Sequence, residues 1–387
     1  MTDQFTLSRR AMLGSALGLA AGACAPAGAM RDVIPPISGP SLNDAAKHSG
    51  RRFGSAFAWA PPGADAGSFN NPEYAALLER DCGILVPENE LKWQAIRPGP
   101  DQYAFAHMDA MVDYAVTHGF ALRGHTLLWH RPKWFPKWLN DYDFGSRPAT
   151  EAARILTDHI RTLIGRYGKH IVSFDVVNEA VDPATGDLVE TSLSKAMGGV
   201  EETLDLAFRT AREAAPDTQL CYNDYMGWEP GNETHRAGVI KLLEGFRKRG
   251  TPVDALGVQS HLEMFTLDQA TGLGPYQPKL WRDFLDAAVG MEYGLVITEF
   301  DVKDNALPAD TAIRDKAVAE YARRYLDLML EYPQLKDILA WGMTSRYSWL
   351  QNFKPRDDGL RERCCPYGDD FQPLPLRAAM IGAFEGA

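Results

Sequence analysis

Eight runs of apolar, often β-branched residues recur along this chain at a spacing that few folds can accommodate. They lie near Phe53–Ala58, Gly83–Pro87, Phe120–His125, Ile171–Asn178, Gln219–Asn223, Ala255–Ser260, Leu295–Glu299 and Ile338–Met343. Runs of this kind read as strands buried on both faces, the habit of parallel sheets. The stretches between them carry apolar residues at three- and four-residue spacing. Ala152–Tyr167 sets Ile155, Leu156, Ile160, Leu163 and Ile164 on one stripe, and Thr203–Ala214, Thr234–Arg249 and Ala312–Leu330 repeat the pattern. Eight such units in roughly 340 residues predict an α/β fold, a (β/α)8 TIM barrel formed as one domain. A doubly wound open sheet is the runner-up. It would normally show a Gly-rich phosphate loop after its first strand, and none is visible.

A barrel gathers its functional groups at the C-terminal ends of its strands. The second run leads into Glu88, Asn89 and Lys92, and the third into His125, Trp129 and His130. The fourth ends on Asn178 and Glu179, the fifth on Asn223, Asp224 and Tyr225, and the sixth on Gln259, Ser260 and His261. The seventh ends on Glu299, and the eighth passes Trp341. Surface solvation does not explain polar groups converging on one rim from so many strands.

Glu179 and Glu299 are the central pair. A buried strand has no packing reason to end on a carboxylate, because desolvating a charge is costly without a partner or a task. Two such carboxyls are what cleavage of a glycosidic bond requires: one protonates the leaving oxygen and the other acts at the anomeric carbon. His261 and Gln259 are expected beside Glu299, keeping it ionised. Trp129 and His125 are expected beside Glu179, where aromatic surroundings raise its pKa as a general acid needs. Lys92, four residues after Glu88, reads either as half of a helical salt bridge or as a donor to a sugar hydroxyl. Trp93, Trp129, Trp134, Trp138, Trp341 and Trp349 read as stacking platforms for sugar rings, against the plainer reading of core packing.

The net charge of -11 argues against a nucleic-acid partner and disfavours anionic lipid. No CxxC pair, HExxH or two-histidine-one-carboxylate spacing occurs, so neither a metal nor another cofactor is expected. Cys82 and Cys221 read as buried thiols, and adjacency does not favour a bond between Cys364 and Cys365. Ser8-Arg9-Arg10-Ala11-Met12-Leu13 is a twin-arginine pattern, followed by a short glycine-softened apolar stretch. Residues 1–29 are therefore expected to be a cleaved bacterial export signal leading to the periplasm or the medium, 30–50 a linker, and 51–384 the catalytic barrel. The stretch is too short to span a bilayer. Cys24 loosely resembles a lipoprotein cleavage site, but the expected Leu is missing three residues earlier, so no lipid anchor is expected. A monomer is expected.

Five segments carry a resemblance to glycoside hydrolase family 10, whose members are mostly endo-β-1,4-xylanases. They are Glu88-Asn89-Glu90-Leu91-Lys92-Trp93, Arg123 through His130, Asp175-Val176-Val177-Asn178-Glu179, Gln259-Ser260-His261-Leu262 and Ile297-Thr298-Glu299-Phe300-Asp301. The resemblance implies a retaining double displacement on internal bonds of xylan, with xylan and xylo-oligosaccharides as partners. By position Glu179 resembles the family's acid/base and Glu299 its nucleophile. Glu88, Asn89 and Lys92 resemble residues that grip the sugars before the cleaved bond, and His125, Trp129, Asn178, Gln259 and His261 those that line the cleavage subsite. Tyr225 is carried by the usual Asn223-Asp224-Tyr225 stretch, and Trp341 and Trp349 resemble aromatics that wall the cleft and favour xylose over glucose. Two departures stand out: Ser345 where Asp is usual, and Met226 where Asn is common. Both are expected to alter sugar contacts. The competing readings are a β-glycanase of the same mechanism acting on β-glucan or aryl glycosides, a catalytically silent carbohydrate-binding protein, and a metal-dependent hydrolase.

Overall fold

The computed structural model describes residues 38–264 and 266–387. The expected export signal, with Cys24, lies outside them. Among the described residues nine strands are formed: β1 (Arg52–Phe57), β2 (Ile84–Pro87), β3 (Ala121–Trp129), β4 (Ile171–Asn178), β5 (Gln219–Asp224), β6 (Ala255–Val258), β7 (His261–Glu263), β8 (Gly294–Lys303) and β9 (Leu335–Ala340). Every pairing is parallel, in the order β6-β5-β4-β3-β2-β1-β9-β8, and β6 also pairs with β8 to close the ring. The eight-stranded barrel is thus formed. β7 is a short rim strand that pairs only with the end of β8, setting His261 beside Asp301 and Glu263 beside Lys303.

The strands are buried almost throughout, because helices cover them outside and side chains fill them inside. Ala56, Ile84, Val86, Cys221, Ala255, Val296 and Leu339, from six strands, form one apolar cluster capped by Trp341. Each long helix presents one apolar stripe to the sheet, as in Pro148–Tyr167, where Ile155, Leu156, Ile160, Leu163 and Ile164 are buried. Helix starts follow local chemistry. Asn71 caps Pro72–Asp81 through its side chain, and Asp310 caps Thr311–Met329.

Part of the expected linker is structured. Leu42–His48 is a helix capped by Ser41, with Leu42, Ala45 and Ala46 fully buried. A seven-residue helix carries too short a periodicity to stand out after a proline-rich stretch. It is anchored by Asp81, whose carboxylate accepts from the Leu42 amide at 3.1 Å and from Arg377 Nε and Nη2 at 2.9 and 2.8 Å, and also from the Tyr367 hydroxyl. Arg377 lies in the last helix, Pro375–Glu385, and its Nη2 also donates to the Pro40 carbonyl at 2.7 Å. One buried ion pair therefore binds the first helix, the last helix and Pro72–Asp81 together.

The four described cysteines are buried free thiols. Two of the six singled-out tryptophans do not line the cleft: Trp93 is a core residue and Trp138 is half-buried against it. Trp93 is 2% exposed and stacks on His159, and Trp138 donates its indole N–H to the Arg97 carbonyl and packs edge-on against Trp93. Both follow the strand ends in sequence, but the loop turns them outward.

Replacing Arg377 with Met is expected to leave Asp81 charged, buried and short of its main partner, costing about 3–5 kcal/mol. The midpoint of urea unfolding should fall accordingly. An unchanged midpoint would show that the pair does not hold the two ends of the fold.

Candidate active site

Apart from Trp93 and Trp138, the residues expected to act or to bind sugar meet in one open cleft of about 610 Å³ at the C-terminal rim. Glu179 follows β4 directly with a left-handed backbone, φ 55°. Its amide is held by the Asn223 carbonyl at 2.9 Å. A non-glycine residue keeps this conformation only where its surroundings impose it, and such positions cluster at working sites. The carboxylate of Glu179 accepts from Trp129 Nε1 at 2.9 Å on Oε2, and from Gln259 Nε2 at 2.9 Å and Asn178 Nδ2 at 3.2 Å on Oε1. Glu299 accepts from Asn223 Nδ2 at 2.8 Å on Oε1 and faces His261 Nε2 at 3.4 Å on Oε2.

The two carboxyls sit in opposite electrostatic settings. Burial pushes Glu179 above its ordinary range, and the nearby charges of Asp224 and Glu299 add to the rise against the amide and indole donors. Burial would raise Glu299 as well, but His125, His261 and Lys92 outweigh it and hold the carboxyl down to about 2. Each of these side chains is itself held in place. His125 Nδ1 meets Asp175 at 3.0 Å, and Asp175 also takes Arg123 at 2.5 Å inside the barrel. His261 Nδ1 meets Asp301 at 2.9 Å, and Asp301 takes the Trp349 indole N–H at 2.8 Å. Burial pulls the His261 imidazolium down, yet Asp301 and Glu299 bring it up to about 9.

The remaining expected residues form the walls. Lys92 donates to Asn89 Oδ1 at 2.9 Å and lies 4.8 Å from the Trp129 ring. It precedes the helix that starts at Trp93, so the helical Glu88–Lys92 pair does not form. Burial raises Glu88, with Lys92 opposing the rise. Trp341 meets His125 edge-on at 5.3 Å, and Trp349 lies 4.9 Å from His261. The Tyr225 hydroxyl accepts from Arg131 at 3.3 Å. Trp134 stacks on Trp129 at 4.5 Å and joins the cleft.

Several expectations are corrected. His125, expected beside Glu179, stands 4.0 Å from Glu299 instead. Gln259 serves Glu179 rather than Glu299, because the chain turns at Ser260 (φ 62°) and sends neighbouring side chains to different carboxyls. Met226 is fully buried, and Ser345 is 1% exposed with its hydroxyl accepting from the Cys365 amide at 3.3 Å. Neither lines the cleft. Arg346, next to Ser345, pairs with Asp65 instead.

Asn223 was not among the expected binding residues. Its Nδ2 donates to both Glu299 and Asn178, at 2.8 and 2.9 Å, and its Oδ1 accepts from Thr298 at 2.7 Å. Gly257 makes room for it, since a Cβ there would stand 2.4 Å from Asn223 Oδ1. Its place at the end of β5 was the available signal. Glu229, Glu263, Lys303 and Phe353 also line the cleft and carry no sequence signal of that role. Among the described residues, no group of three or more His, Cys, Asp or Glu could hold a metal ion.

A family model described as Glycosyl hydrolase family 10 matches residues 41–383. The chain is similar to endo-1,4-beta-xylanase B of Thermotoga neapolitana, 30% identical over 306 residues, covering 79% of this chain and 80% of that protein. It is 31% identical over 317 residues to endo-1,4-beta-xylanase B of Paenibacillus barcinonensis, covering 79% and 90%. The crystal structure of xylanase 10B from Thermotoga petrophila in complex with xylobiose matches with a TM-score of 0.78 at 28% identity, over 91% of this chain and 99% of that one.

Nitrogen-detected NMR of the His261 ring should find both nitrogens protonated at neutral pH, with a titration midpoint near 9. Glu299→Gln should lower the midpoint and Asp301→Asn should lower it further, since each removes an anion that favours the charged ring. A midpoint at about 6.5, the ordinary histidine value, would mean the charged triad does not exist.

Proposed function

The chain belongs to glycosyl hydrolase family 10, and from that membership we propose a retaining endo-β-1,4-xylanase in which Glu299 is the nucleophile and Glu179 the acid/base. The observation that carries this reading is the opposite electrostatic bias of the two carboxyls in one cleft, Glu179 raised and Glu299 held down to about 2. Glu299, ionised over the working pH range, attacks the anomeric carbon. Glu179, still protonated, passes its proton to the departing glycosidic oxygen. When Glu299 becomes an ester its negative charge vanishes. That charge is one of the causes raising Glu179. The pKa of Glu179 then falls, and the same carboxylate takes a proton from the water that releases the second product.

Xylan as substrate is supported by the similarity to xylanases and to a structure holding xylobiose. Trp341 and Trp349 line the cleft beside His125 and His261, and we infer from the family resemblance that they favour xylose over a sugar bearing a hydroxymethyl group. A carbohydrate-binding protein without chemistry would gain nothing from two buried carboxyls, and a β-glucan substrate lacks the support that the xylobiose complex lends to xylan. We also propose that Arg9 and Arg10 direct export and that residues 1–29 are removed. Among the described residues, no helix is long and apolar enough to cross a membrane.

Glu179→Ala should slow xylan turnover by about 10²–10⁴-fold and flatten the alkaline limb of the pH profile. For an aryl xylobioside whose leaving group needs no proton it should spare kcat/KM but lower kcat, because the second step still lacks its base. Azide should rescue this variant as a β-glycosyl azide and Glu299→Gly as an α-glycosyl azide. The reverse pairing of anomers would interchange the two roles, and a first product of α configuration from the wild type would mean inversion. Changing Arg9 and Arg10 to Lys together should leave unprocessed protein in the cytoplasm on fractionation of an expressing bacterium, and normal export would remove the twin-arginine reading.

A further inference from the structure

One sector of the cleft carries groups that a linear neutral chain does not need. Phe353, at the end of the short helix Leu350–Phe353, is 60% exposed although it lines the cleft. It packs on Trp349 with ring centroids 4.5 Å apart. An aromatic face left open beside a sugar site is a surface for the C–H face of another ring. Beside it, Lys303 at the end of β8 donates to Glu263 Oε2 at 3.0 Å, across the β7–β8 pairing. An ammonium has three N–H donors, so this bond occupies only one.

The charges of this sector favour an anion. Glu263 is the shared partner of Lys303 and Lys354. Burial would raise its carboxyl, but the two ammoniums hold it in the ionised form. Beneath it Glu229, 2% exposed, accepts from the Glu263 amide at 2.9 Å and is pushed up by burial to about 7. At mildly acidic pH Glu229 is largely uncharged, so Glu263 is the carboxylate that faces the Lys303 ammonium.

We propose that Phe353 and Lys303 form a site for a uronate branch on the substrate, the branch ring lying on Phe353 and its carboxylate reaching the Lys303 ammonium. A pyranose with a carboxylate matches both features. A neutral pentose branch would use the aromatic face alone, and a linear chain neither. Trp349 connects this site to the cleavage point, because it touches Phe353 on one side and His261 on the other. The branch therefore hangs from a sugar at or next to the bond being cleaved. This inference rests on the xylanase reading.

The test compares kcat/KM for linear, arabinose-branched and glucuronate-branched xylo-oligosaccharides of equal backbone length, at mildly acidic pH and low salt. The uronate-branched substrate should exceed the linear one by about fivefold, the scale of one partly exposed charge-assisted hydrogen bond. Added salt should shrink the ratio. Lys303→Met should bring it to the level of the arabinose-branched substrate, Lys303→Arg should keep it, and Phe353→Ala should lower it for both branched substrates. Wild type that cleaves the linear chain with no preference for uronate, or a ratio unchanged in Lys303→Met, would overturn the site and leave the xylanase reading intact. Failure to cleave the linear chain at all would overturn both.

Discussion

Closure of the strand ring is the constraint from which the site follows. β1 pairs with β9 and β6 with β8, so no edge remains and every strand runs the same way. Each C-terminal end then emerges at one rim, wherever its residues lie in the chain. Glu179 and Glu299 are 120 positions apart in sequence, yet β4 and β8 deliver both to the same cleft. The sheet interior is apolar apart from deliberate pairs such as Arg123 with Asp175. That pair lies directly below His125 and fixes its ring, so part of the polar content of the barrel supports the rim.

The charged groups at this rim are expensive to bury, and the structure meets the cost with tiers of partners. Glu299 is supported by His261, His261 by Asp301, and Asp301 by the indole N–H of Trp349. An unpartnered carboxylate in such a place would take up a proton. Glu179 is treated differently. It receives uncharged donors, and the nearest charges that act on it are negative. The same desolvation thus yields an acid on one side and a permanent anion on the other.

The two glutamates were legible because each breaks the pattern of its own strand: a run of Val, Ile and Thr that ends in a carboxylate has no packing reason to do so. The barrel was legible from periodicity alone, since eight strand-like runs alternate with helical stripes. What escaped notice depends on direction rather than position. Gln259 and His261 are two residues apart, which in a continuous strand would place them on one face, but the left-handed turn at Ser260 assigns them to different carboxyls. Trp93 follows the same strand end as Lys92, yet only Lys92 enters the cleft, because a helix begins between them. Leu42–His48 has its stabilising partner in Asp81, and no local pattern records a contact with a residue 39 positions away. Asn223 shows the opposite difficulty: its position was noted, but an amide at a strand end gives no sign that it links Glu299 to Asn178.

The identity of the groups between those carboxyls explains why their behaviour can differ so much within one cavity. Asn223 donates to Glu299 and Asn178, and Asn178 and Gln259 donate to Glu179. Every link is a neutral amide. It fixes geometry by hydrogen bonding but carries no charge that would act on both sides at once. A lysine at the position of Asn223 would favour the ionised form of both glutamates, including Glu179, the proposed acid. The one lysine in this part of the cleft, Lys92, lies where Glu299 and Glu88 act on it more strongly than Glu179 does. With His261 and Lys92 beside Glu299 and amides between the pair, the site shifts two chemically identical side chains in opposite directions, Glu179 up and Glu299 down, and the proposed reaction draws on that difference.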